Sequence, residues 1–221
     1  MNTPRRSSPP PLRSSDEQRR GDPKKLSRPS TLDLRARLLR AAEAEIAATG
    51  PARASLRAIA RRCGVSHQAT AHHFVDRAGL FTALALEGHQ LLLEETQAAI
   101  DATPAEGGQR VAAAGAAYVA FAHRHPALFD LMFRPDLLHN EDEELTAARL
   151  AHRDLSMANI AAAQERGWGT EVPTAELAVL GWAAVHGLAV LEREQIVSVL
   201  YPEVDVDSIL RRVVHVLDAL G

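Results

Sequence analysis

The sequence predicts an all-α protein of about nine helices, and three observations carry that prediction. Apolar residues make up 46% of the 221 positions but aromatics only 4%, and much of the remainder is Ala and Leu. That balance favours helix, because sheets concentrate β-branched and aromatic residues. Apolar positions also recur three and four residues apart through most of the chain. Between these runs stand Gly50-Pro51, Gly64, Pro104, Gly107-Gly108, Pro126, Gly167, Pro173 and Pro202, residues that stop helices or open them.

Taken in order, residues 1–30 are rich in Pro, Ser and Arg and carry no apolar period, so they are expected to be disordered. They hold eight Lys/Arg against three Asp/Glu, net +5. Such a tail is either solvated chain, a start placed too early in the sequence, or a basic arm that follows phosphates beside a main contact. A first helix is expected from Ser30 or Thr31 to about Thr49, with Ser30 and Asp33 placed as a capping box. Its apolar face is Leu34, Leu38, Leu39, Ala42 and Ile46. Ser55 then suits an N-cap, and Leu56, Ile59, Ala60 and Cys63 recur at helical spacing. Gly64 supplies a left-handed turn. Ser66 caps a further helix, which begins with polar His67 and Gln68 and closes on Phe74. Helix, glycine turn and second short helix form the helix-turn-helix pattern.

Beyond it, Arg77 to about Ala102 reads as a long helix, followed by Gln109–His123, a short segment opened by Pro126, and a helix ending near Arg166. The acidic patch Glu141 to Glu144 suits the N-terminus of that last helix, where the macrodipole favours negative charge. Thr174 to Leu200 is expected as one continuous and very apolar helix, and Val206 to Leu220 as the final one. No apolar stretch reads as long and charge-free enough to span a membrane, and no signal peptide is recognisable. With Cys63 as the single cysteine, the expected location is the cytoplasm.

Charge separates the two ends. Residues 31–81 hold eight Arg and four acids, net +4, whereas the remaining 140 residues hold nine Arg and twenty-one acids, net −12. A basic end attached to an acidic body points to a polyanion at that end. The ten histidines include no i, i+4 pair, and no HExxH, phosphate loop or nucleophile elbow occurs, so no metal, cofactor or enzymatic activity is expected.

The strings LLRAAEAEIAATG, SLRAIARRCGVS and HHFVDRAGL with Phe81 resemble the TetR family of bacterial transcription regulators. Trp182, His186 and Gly187, in GWAAVHGLA, together with HPALFDLMF at 125–133, are similar to the branch with a C-terminal Trp-His-Gly signature. The resemblance implies a helix-turn-helix DNA-binding domain over 31–80 and a helical effector-binding and dimerisation domain over 81–221. It implies a homodimer placing two recognition helices, Ser66 to His73, on a near-palindromic operator in double-stranded DNA. Half-sites would lie roughly 34 Å apart, and a small ligand would release the repressor.

By that resemblance, Ser55, Ser66, His67, Gln68, Ala69, Thr70, His72, His73 and Arg77 are the candidate DNA contacts. Gln68 can pair bidentately with adenine and Ala69 can meet a thymine methyl. Arg77 stands where the family grips phosphate. Thr70, Ala71 and His72 depart from the branch's usual Pro, Tyr and Arg, which implies weaker backbone grips or a different operator. Tyr118, Phe121, Phe133, Trp182 and His186 are candidate pocket residues, though each also suits ordinary core. A mainly apolar pocket with one or two polar anchors implies a small apolar or aromatic effector. Two further readings stay open: a dimeric helical sensor that has lost DNA binding and acts through a protein partner, and a small helical enzyme using the same pocket.

Overall fold

A computed structural model describes residues 31–219. The expectations for the tail 1–30, including the Ser30 cap, and for Leu220 lie outside the described residues. Ten α-helices and no strand are found among them. In order they are α1 Thr31–Thr49, α2 Leu56–Cys63, α3 His67–Ala71, α4 Arg77–Asp101 and α5 Gln109–Arg124. Then come α6 Pro126–Met132, a 3-10 turn at Pro135–Leu137, α7 Glu143–Gln164, α8 Thr174–Arg193, α9 Ile196–Leu200 and α10 Val206–Asp218.

The first three helices fold as their local chemistry dictates. Ser55 accepts from the Ala58 amide at 3.3 Å and Ser66 from the Ala69 amide at 3.1 Å, so both expected N-caps form. Gly64 sits at φ 73°, ψ 28°. Its amide donates to Arg61 O at 3.1 Å, and the next amide, Val65, donates to Ala60 O at 3.0 Å. These two bonds are the Schellman pair that closes a helix through a left-handed residue. From α1, Arg37 Nη2 donates to Cys63 O at 3.0 Å, and Glu45 takes Arg62 in an ion pair of 2.9 Å. Leu38, Leu39, Ala42, Ile46, Ile59 and Phe74 complete the join as buried core.

That core does not stop at α4. Leu80, Phe81, Leu84 and Leu92 run on into Tyr118, Phe121, Phe129 and Met132 as one cluster, which ties the first three helices to the body. A second cluster, Ile160, Ala163, Trp168, Leu177 and Leu217, joins α7, α8 and α10. The acidic patch behaves as expected, with Asp142 capping the Leu145 amide at 2.8 Å and Glu143 and Glu144 in the first turn of α7.

Three expectations need correction. The helix foreseen from Thr174 to Leu200 is two, α8 and α9, broken at Gln195. Gln195 is the one described non-glycine residue with positive φ, at 58°. The break follows the polar run Glu192–Gln195, where the last α8 bonds tighten to Gln195 N→Glu192 O and Arg193 ties to Asp130 and Glu194. The recognition helix is also shorter than foreseen, ending at Ala71 rather than His73. Finally, α8 is long and apolar enough to cross a membrane by length and composition, since Glu176 is its only charge before Glu192. Only Leu177, Leu188 and Ala189 of this helix are buried.

Candidate functional site

Two regions carry the candidate residues. The first is the face presented by α3. His67, Gln68 and His72 are exposed, and Ala69 and His73 half-buried. Thr70 is 0% exposed, packed inward with its hydroxyl towards Ser66 O at 3.5 Å. It is therefore removed from the candidate DNA contacts and counted as core. Ser55 and Ser66 stay at the surface while capping. Arg77 sends Nη1 to the carbonyls of Ala52 and Ala54, both at 3.2 Å, and its guanidinium lies 5.2 Å from the Phe81 ring centroid. Its first role here is thus to hold the α1–α2 loop against α4.

The second region is a cavity of about 700 Å³ lined by α4, α5, α7, α8 and α10. Four of the five pocket candidates meet at one wall. Trp182 Nε1 donates to the Tyr118 hydroxyl oxygen at 3.3 Å, and that hydroxyl lies 2.8 Å from His186 Nδ1. An indole nitrogen only donates, so Tyr118 accepts from Trp182, and the Tyr118–His186 bond runs in the direction set by the histidine tautomer. Burial lowers the pKa of His186 and raises that of Tyr118, keeping both neutral and the arrangement fixed. Phe133 packs edge-on to His186 with centroids 4.6 Å apart. Tyr118, Phe133 and Trp182 line the cavity, while His186 stands behind Tyr118. Phe121 does not take part. It is fully buried in the main core against His125, and is corrected from pocket to core.

Sequence reasoning missed the polar residues of this cavity. His89 and Thr96 project from α4, and Arg149, His152, Ser156 and Asn159 from α7. The signal was present as helical spacing. His89, Leu92, Thr96 and Ile100 form one stripe, and Arg149, His152, Ser156 and Asn159 another, so polar side chains interrupt faces that point inward. His89 is only 6% exposed. Burial, then the nearby Arg149, then His152 press its pKa down to about 4. Burial lowers His152 as well. The Nε2 atoms of both histidines and the Thr96 hydroxyl are buried without a hydrogen-bond partner. Asn159, by contrast, is satisfied by donating to Arg110 O at 3.1 Å. Arg149 Nη1 reaches only Asn140 Oδ1, at 3.4 Å.

No group of three or more His, Cys, Asp or Glu side chains gathers as a metal site among the described residues. The arrangement has an exposed α3 face, a cavity in the body, and α4 as the element that packs on the first helices and lines that cavity.

Comparison with known proteins finds two family matches along the chain. Residues 38–84 match the family described as bacterial regulatory proteins, tetR family. Residues 111–217 match the tetracyclin repressor-like C-terminal domain. A protein of unknown function from Rhodococcus sp. RHA1 has a similar structure, with TM-score 0.71 and 30% identity, over 83% of this chain and 93% of that one. The TetR family transcriptional regulator PfmR from Thermus thermophilus is similar at TM-score 0.65 and 16% identity, over 83% and 97%. FadR from Bacillus subtilis, a transcriptional regulator solved with stearoyl-CoA, is similar at TM-score 0.63 and 12% identity, over 83% and 97%. No curated protein matches this chain.

Proposed function

From the premise that this chain belongs to the TetR family of bacterial regulators, we propose that it is a ligand-responsive repressor. It acts as a homodimer that binds a near-palindromic operator through α3 and lets go when a small molecule enters the cavity. The observation that carries this reading is the double duty of α4. Its N-terminal turns, with Leu80, Phe81 and Leu84, are packed into the core of the helix-turn-helix. Its later turns present His89, Leu92, Thr96 and Ile100 to the cavity. A ligand that repositions the later turns therefore moves the first, and with them the reading helix. Coupling of this kind is typically about 1–3 kcal/mol, a change of about 5–150-fold in DNA affinity.

His67, Gln68, Ala69, His72 and His73 are the proposed reading set, with Ser55, Ser66 and Arg77 positioning the backbone. The Trp182, His186 and Gly187 signature is what supports the corresponding branch of the family, and two of its residues, Trp182 and His186, bond Tyr118 at the cavity wall. The full chain should enrich genomic fragments at low salt, with two half-sites roughly 34 Å apart. No enriched sequence at low salt would overturn the repressor and leave a helical sensor that acts through a protein partner.

A further inference from the structure

We infer that the cavity takes an amphiphilic carboxylic acid, with its carboxylate held by His89, His152 and Arg149 and its apolar body lying towards Ile100, Val111, Ile160, Leu177 and Leu217. This deepens the reading of the cavity as an effector site and rests on it.

Three observations select that class. The first is hydrogen bonding. Two buried imidazole Nε2 atoms and the Thr96 hydroxyl are without partners, and a buried donor left unpaired is costly. With the ring proton on Nε2 both imidazoles are donors, and a head with several acceptor lone pairs satisfies them and the Thr96 hydroxyl, whereas a purely apolar ligand keeps all three unpaired. The second is charge. In a body whose balance is strongly acidic, the cavity lining contains Arg149, Arg153, His89 and His152 but no Asp or Glu among the described residues. A cationic ligand would meet only like charge, and a carboxylate would meet a guanidinium suited to it. Arg153 is already occupied by Asp154 at 2.6 Å. Half-buried Arg149 has only the long contact to Asn140, so it is the cation placed to receive the head. The third is the rest of the wall. Beyond Thr96 the lining turns to Ile100, Val111, Ile160, Leu177, Val213 and Leu217, a surface with nothing for a second charged group.

Once a carboxylate is seated, a proton on His89 or His152 becomes favourable. His89 faces Arg149 and His152 across α4 and α7, and the anion offsets the repulsion of that guanidinium.

Isothermal titration of the full chain with decanoate, 2-naphthoate, 1-decanol and decylammonium at neutral pH tests the assignment. At least one of the two acids should bind about tenfold or more tightly than both the alcohol and the ammonium. Arg149→Gln should remove that preference while leaving 1-decanol unchanged, and Arg149→Lys should restore part of it. His152→Leu, which replaces an orphaned polar atom with a methyl group, should weaken the acids and not the alcohol. The assignment is overturned if the alcohol or the ammonium binds as tightly as the acids, if none of the four binds, or if Arg149→Gln leaves the acid preference intact. DNA affinity is measured separately, with and without the bound acid. An acid that binds but leaves DNA affinity unchanged counts against the regulator and not against the carboxylate site.

Discussion

Single residues show how local caps and tertiary burial divide the work of specifying the site. Ser55, Gly64 and Ser66 were legible because a cap or a left-handed turn depends on one side chain and its immediate neighbours. Thr70 and Phe121 were not, because whether a helical side chain faces DNA, cavity or core depends on partners far along the chain. Gln68 is an exposed residue of α3 whose amide can pair with a base edge. Gln68→Ala should relax preference at one base position per half-site and cost about 1–3 kcal/mol in operator binding, measured by selection on randomised operators. An unchanged motif would assign Gln68 to solvent. His89 makes a separate prediction through its proton. Well above pH 6.5 it is neutral in both folded and unfolded chains, so it adds no pH dependence to stability there. Between its ordinary value of 6.5 and its folded value of about 4, only the unfolded chain binds the proton. Stability therefore falls on acidification through that window, by up to about 1.4 kcal/mol per pH unit for this one group. Urea midpoints of His89→Gln should show a shallower acid limb than the parent chain. Identical limbs would show that His89 is not held neutral.

Elements were legible wherever an apolar stripe had clear stops, and least so where composition masked a break. The apolar run of α8 and α9 gave no warning from hydropathy of a left-handed Gln195. The polar residues before it were the only sign. The loop between the 3-10 turn and α7 had no periodicity to read at all, yet it connects the two candidate sites. His139 Nε2 lies 3.0 Å from Asp76 Oδ1, the cap of α4, and the His139 amide donates to Thr82 at 2.9 Å. The Gly79 amide, bonding the same carboxylate at 2.7 Å, is the largest influence lowering the pKa of Asp76. The next residue, Asn140, lines the cavity and takes the Arg149 contact. A ligand that draws Arg149 away from Asn140 would therefore disturb the contact that steadies the start of α4. His139→Ala should leave ligand affinity within about twofold and reduce the ligand's effect on DNA affinity by roughly 0.5–2 kcal/mol. The measurement is DNA-binding anisotropy with and without ligand in both chains. Equal ligand effects would place the coupling in α4 alone.

At the scale of the whole molecule, two asymmetries must be accommodated together. The basic end and the acidic body favour a polyanion on the α3 side, while the most apolar helix remains largely uncovered. Val179, Leu180, Trp182 and Leu191 of α8 are exposed, as are Ile196, Val199, Leu200 and Tyr201 after the break. An apolar face of that extent marks an interaction surface, and under the proposed function, a repressor on a two-fold operator, a second copy is the partner that fits. Trp182 is 50% exposed on that face while lining the cavity, so pairing would also cover one wall of the ligand site. Leu180→Glu places a carboxylate on that exposed face at a residue outside the cavity lining. The variant should run as a monomer by light scattering, and its operator affinity should fall by at least about 10²-fold as the second half-site contact is lost. Its thermal midpoint, read by circular dichroism, distinguishes lost pairing from lost folding. If Leu180→Glu remains a dimer with full operator affinity, the α8 face is not where the copies meet, and its apolar surface must be covered by something else.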